Sequence, residues 1–127
     1  MRLVLDAGAV SRLAERTTRS AAVISVLRQG DHWPPVVPSV VLVECLGDRS
    51  GRDPAIDRFL RTCDVLDQPS TDLARRAAFF RSATRRGSTI EAIVVATAEP
   101  GSLVLTTRPR SMAALAAHAD GVLVEGI

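Results

Sequence analysis

Three acids stand in stretches that are otherwise apolar. Asp6 follows Leu3, Val4 and Leu5; Glu44 lies between Val40–Val43 and Cys45–Leu46; Glu91 opens the run "TIEAIVVATA". A carboxylate in apolar surroundings is costly unless it is paired, hydrogen-bonded or bound to a cation. Carboxylates that converge in one pocket suit a hard divalent ion such as Mg²⁺ or Mn²⁺. Such an ion favours phosphoryl chemistry, because it activates water and stabilises charge on the leaving oxygen. Each acid also has a plainer explanation. Asp6 fits a loop after a strand, and Glu44 fits a narrow wet stripe on an amphipathic helix. Glu91 follows Ser88 in the S-x-x-E spacing of a capping box.

Other chemistries find less support. All 16 basic residues are arginine, so a P-loop lysine, a Schiff-base lysine and the lysine of a phosphoacceptor receiver are excluded. The arginines reflect either a GC-rich coding bias or phosphate recognition, for which the planar guanidinium is well shaped. A net charge of +2 permits nucleic-acid binding without demanding it. Cys45 and Cys63 lack metal-ligand spacing and read as buried free thiols. His32 and His118 have no partner at catalytic spacing. Trp33 in "DHWPP" reads as the cap on an edge of the core, with an RNA-stacking role ranked below that.

The elements that must position these acids follow from the pattern of the chain. The 127 residues, 46% hydrophobic and 24% charged, fit a single domain, 1–127, able to bury a core without disulfides. Short, β-branched, non-alternating runs at Leu3–Leu5, Val36–Val37, Val65–Leu66, Leu103–Leu105 and Val122–Val124 read as strands buried on both faces. Between them helices are expected at Ala7–Arg16, Ala21–Gln29, from a Ser39 cap toward Gly47, and from an Asp53 cap with Pro54 at the first position. Three more follow: from a Ser70 cap to Gly87, from Ser88 to the stop at Pro100–Gly101, and over "RPRSMAALAAHADG" up to Gly121. Alternating strands and helices predict an α/β three-layer sandwich, with a central, mostly parallel sheet of four to five short strands flanked by helices. Ligands of such sheets bind beyond the carboxyl ends of the strands, where Asp6 is placed. No apolar run reaches the ~18 residues of a membrane span, and no signal peptide precedes the first strand, so a reducing, cytoplasmic setting is expected.

"LVLDAGAV", "VPSVVLVECLGD", "TIEAIVVATA" and "LVLTTRPRSMAAL", in this order and spacing, resemble the PIN-domain family, in particular the compact VapC-type toxin ribonucleases of toxin–antitoxin pairs. The resemblance covers essentially the whole chain. It implies a PIN-like sandwich and a metal-dependent endoribonuclease with an acidic pocket for Mg²⁺ or Mn²⁺. Asp6, Glu44 and Glu91 would then be the catalytic and metal-binding residues, and Thr106, Arg108 and Arg110 would be supporting or substrate-contacting residues. A cognate VapB-like antitoxin, an RNA substrate and a homodimer are implied as partners, with no membrane.

Two departures stand out. Glu91 falls where the family usually has aspartate, and the extra methylene shifts the carboxylate by about an ångström. In "TTRPR", Arg108 takes the place of an expected acid and Arg110 that of a second. Exchanging a carboxylate for a guanidinium a few ångströms from a cation changes its binding by several kcal/mol, even at an effective dielectric of about 20. Arg108 then has three fates. It points out and meets substrate phosphate, it lies across the acids as an internal counter-ion, or it is a solvated loop residue. Asp48 and Glu125 are candidate replacements for the missing acid, and Arg85 and Arg86 read either as RNA guides or as a solvated helix end. The rivals are a non-catalytic PIN-fold module that keeps RNA or antitoxin binding, and a receiver domain using Asp6 and Asp67, which the missing lysine opposes.

Overall fold

A computed structural model describes residues 1–47 and 50–127. Strands β1 (Leu3–Leu5), β2 (Val36–Pro38), β3 (Asp64–Leu66), β4 (Leu103–Thr106) and β5 (Leu123–Gly126) form one sheet in the order β3-β2-β1-β4-β5. Every pairing is parallel, with Val4 opposite Val36 on one side and Val104 on the other. Burial on both faces holds for the central strands, with Leu3, Val4 and Leu5 wholly buried, but not for the edge strands β3 and β5, where Asp64, Val65 and Leu123 are exposed because no further strand or helix covers them fully. The three-layer α/β sandwich expected from the sequence is what forms.

Helices α1 (Ala7–Ala14), α2 (Thr18–Gln29), α3 (Leu42–Cys45) and α4 (Pro54–Leu60) gather on one side, with α1 packed against each of the other three. Helices α5 (Thr71–Thr84), α6 (Thr89–Ala98) and α7 (Pro109–Ala116) pack against one another on the other side. Helix α6 is the central one: every residue from Glu91 to Ala98 is buried, and the helix runs beneath β1, β2 and β4. A helix apolar all round survives only when covered this way. Among the described residues no helix is long and apolar enough to cross a membrane.

The caps explain most boundaries. Asp53, Ser70 and Ser88 each accept a backbone N–H of the helix they start, as expected. Helix α2 begins at Thr18 rather than Ala21, because the Thr17 side chain accepts the Ser20 N–H at 3.0 Å. Ser39 does not cap a helix. Its hydroxyl leans toward the Gln68 carbonyl at 3.4 Å, and Ser39–Val41 form a 3-10 turn that leads into the single turn of α3, which ends before Leu46 rather than at Gly47. Cys45 is buried and Cys63 only half-buried. Trp33 meets Phe59 edge-on at 6.1 Å between centroids, under the Arg28 guanidinium, which fits its place at the core's edge.

Candidate active site

The chain lays down β1, β2 and β3 outward in one direction, then returns to place β4 on the other side of β1. Between β1 and β4 the winding reverses, and the loops leaving their carboxyl ends diverge to opposite layers. This is the crevice where doubly wound sheets bind ligands. A cavity of about 240 Å³ opens there, lined by Asp6 and Gly8 after β1, Glu44 from α3, Glu91 from α6, and Thr107 and Arg108 after β4. The two strand ends approach closely because residue 8 is glycine: a Cβ at Gly8 would lie 1.9 Å from the Thr107 hydroxyl oxygen.

Asp6 is the N-cap of α1, and its Oδ1 accepts the Ala9 N–H at 2.8 Å. Its Oδ2 accepts the hydroxyl of wholly buried Thr106, whose oxygen in turn accepts the Arg108 N–H at 2.9 Å. The carboxylate is thus locked from both sides by neutral donors. Burial pushes its pKa above the ordinary 3.8; the Thr106 and Ala9 hydrogen bonds pull it down, and the negative charge of Glu91 raises it again.

Glu91 is also buried and doubly held. Its Oε1 accepts the Ser88 N–H at 3.1 Å while Ser88 Oγ accepts the Glu91 N–H at 3.0 Å, closing the capping box. Its Oε2 accepts the hydroxyl of Ser111 on α7. The cap that would explain Glu91 locally therefore leaves the carboxylate facing the cavity as well. Ser111 was not legible as a site residue: it lies twenty residues away, and only the packing of α7 on α6 brings it near.

Glu44 lines the same cavity, but its side chain is exposed. The expectation that it sits inside an all-apolar helix fails, because α3 is a single turn whose outer face, including Val43 at 76% exposure, is open to solvent. Arg108 is exposed on the cavity rim, and among the described residues it forms no ion pair with Asp6, Glu44 or Glu91. The internal counter-ion arrangement is therefore not adopted. Arg110 is exposed and does not line the cavity, and neither does exposed Glu125; Asp48 lies outside the described residues. Asp67 follows edge strand β3, with β2 between it and Asp6, so no receiver-like acid pair forms.

Asp6 and Glu91 are two buried carboxylates with neutral donors only and, among the described residues, no cationic partner. Each oxygen keeps a further lone-pair position. Negative charge left uncompensated in a solvent-open cavity suits a hard divalent ion held by two carboxylates and water, a coordination that Mg²⁺ accepts. The full set of Asp6, Glu44 and Glu91 is not drawn together: among the described residues, no group of three or more His, Cys, Asp or Glu side chains is close enough to hold an ion.

No family model matches the chain, and no curated protein matches it in sequence.

Proposed function

We propose that this chain is a divalent-metal-dependent endoribonuclease of the toxin kind its motifs resemble, with the acid site reduced to two buried carboxylates. The observation that supports this most is that Asp6 and Glu91, both buried and neither in an ion pair among the described residues, line one cavity at the switch point of the sheet. These two residues would hold Mg²⁺ or Mn²⁺, which when bound supplies activation of water and neutralisation of charge at phosphoryl oxygens. Thr106 and the Ala9 amide keep Asp6 in one orientation, and Ser111 and the Ser88 amide do the same for Glu91. Ile90 and Val94 give the cavity an apolar wall that strengthens the local field of the acids. Arg108 on the rim is placed to receive a phosphate oxygen through its guanidinium fork. By the same resemblance, the proposal includes a VapB-like antitoxin, a homodimer and a cytoplasmic setting.

Calorimetric titration of Mn²⁺ into the metal-stripped protein, followed by cleavage assays on oligoribonucleotides, tests the proposal. Saturable binding and cleavage, both lost in Asp6→Asn, are expected. No binding at millimolar Mn²⁺ together with no cleavage would refute it. A second function is favoured by one observation, the cation Arg108 on the rim in place of an acid: a non-catalytic module that binds RNA or a protein partner. It predicts no cleavage by the wild-type chain and a gain in Mn²⁺ affinity on Arg108→Asp.

A further inference from the structure

The carboxyl end of α5 carries three arginines and no acid. Arg81, Arg85 and Arg86, with Ala78, Ser82 and Gly87, line a second depression of about 420 Å³. All three arginines are exposed, and among the described residues none of them ion-pairs; Arg76, further back on the helix, is taken by Glu99 at 2.8 Å. Arg81 and Arg85, four residues apart, line the same depression, where like charges repel. Arg85 also holds a left-handed backbone, φ 55°, which glycine or asparagine adopts more easily. One cation serves the partial negative charge of a helix end. Three crowded around one depression repel each other unless an anion lies among them.

The depression and the acid cavity are joined along the chain. Gly87 lines the first and Ser88 the second, and consecutive residues are about 3.8 Å apart. A chain of phosphates with one group at Arg108 would pass Ser88 to reach the arginines at the end of α5. We propose that Arg81, Arg85 and Arg86 form a subsite for two to three successive backbone phosphates of single-stranded RNA, flanking the phosphodiester held at the acid cavity. The inference deepens the nuclease proposal and rests on it for the identity of the polyanion.

Fluorescence anisotropy of a labelled single-stranded oligoribonucleotide, measured in chelator across a salt series, reads this subsite without cleavage. The triple variant Arg81→Gln, Arg85→Asn, Arg86→Gln removes the charge while keeping residues suited to each backbone position. Each phosphate contact on a single strand contributes about 0.7 to the slope of log K against log salt. The variant is expected to bind at least about tenfold more weakly, with a slope shallower by about 1.4 to 2. Arg19→Gln with Arg58→Gln, on the opposite layer, is expected to change neither. Should the triple variant fail to fold, Arg86→Gln alone is expected to lower the slope by about 0.7. Unchanged affinity and slope in these variants would overturn the subsite, as would a wild-type protein that does not bind RNA in chelator. If the variants weaken binding as expected but the wild type with Mn²⁺ cleaves nothing, the subsite stands and the nuclease proposal fails. Cleavage by the wild type with unchanged binding by the variants means the reverse.

Discussion

Replacing Asp6 separates what the carboxylate does for stability from what it does for function. Asp6→Ala removes the N-cap acceptor of Ala9, worth about 0.5–2 kcal/mol, and strands the buried Thr106 hydroxyl, worth about 1–3 kcal/mol. A loss of about 2–4 kcal/mol is expected. Asp6→Asn keeps a good cap and nearly the same shape, and its amide can donate to the Thr106 oxygen, so it costs about 1 kcal/mol or less. The pH dependence gives the sharper test. The native state holds the Asp6 proton to higher pH than the unfolded chain, because burial and Glu91 raise its pKa above 3.8. Between those two values the native state binds more protons, so wild-type stability falls as pH rises through that interval, and Asp6→Asn is spared the fall. The variant should therefore lag the wild type at acid pH and draw level or overtake it near neutrality. Urea unfolding followed through the single Trp33 at a series of pH values measures this. Adding Mn²⁺ should reverse the order at neutral pH: at a hundredfold excess over Kd the wild type gains about 2.7 kcal/mol, and the variant gains nothing. A variant that falls further behind as pH rises in metal-free buffer would show that the Asp6 charge is already compensated, which would remove the physical case for a cation site.

Three further outcomes follow from the same geometry. Gly8→Ala drives a methyl into Thr107 at the meeting point of β1 and β4 and should cost about 1–3 kcal/mol by urea unfolding; an unchanged midpoint would mean that the two strand ends are not tightly apposed. Ser111→Ala removes one hydroxyl from Glu91, and should cost about 0.5–1.5 kcal/mol while weakening Mn²⁺ binding severalfold by calorimetry; equal affinity would show that Ser111 does not position Glu91. Burial pushes the Cys45 thiol up to about 12, with the charges of Glu44 and Asp6 adding to it, and the Cys63 thiol up to about 11. Neither should react with iodoacetamide at neutral pH in the folded protein, and both should react in urea, as counted by mass spectrometry; rapid labelling of native Cys45 would reveal opening of α3.

Much of the local structure was legible. The five apolar runs became the five strands, and the caps at Asp53, Ser70 and Ser88 fell where the residue types placed them. These signals act within a few residues, through dihedral preference, a side-chain oxygen near the first turn, and periodic burial, so they survive in a linear reading. Thr17 and Ser39 show the limit. Both are capping residues by type, but one starts a helix and the other turns toward a loop at Gln68, a choice set by what lies across the chain.

The sequence by itself thus determined the alternation of strand and helix, the acid at the end of β1 and the capping box of Ser88 and Glu91. It could not order the strands, since five short apolar runs are interchangeable until helices close over them. Tertiary structure alone put β4 beside β1, left Glu44 in solvent by shortening α3 to one turn, and set Arg108 on the rim instead of across the acids. It also brought Thr106 onto Asp6 from 100 residues away, and supplied Ser111, unforeseen, as the hydroxyl that holds Glu91 from 20 residues away. A carboxylate's neighbours in space fix its charge, its orientation and its use, and parallel strands are joined only through long crossovers that the local pattern of residues does not encode.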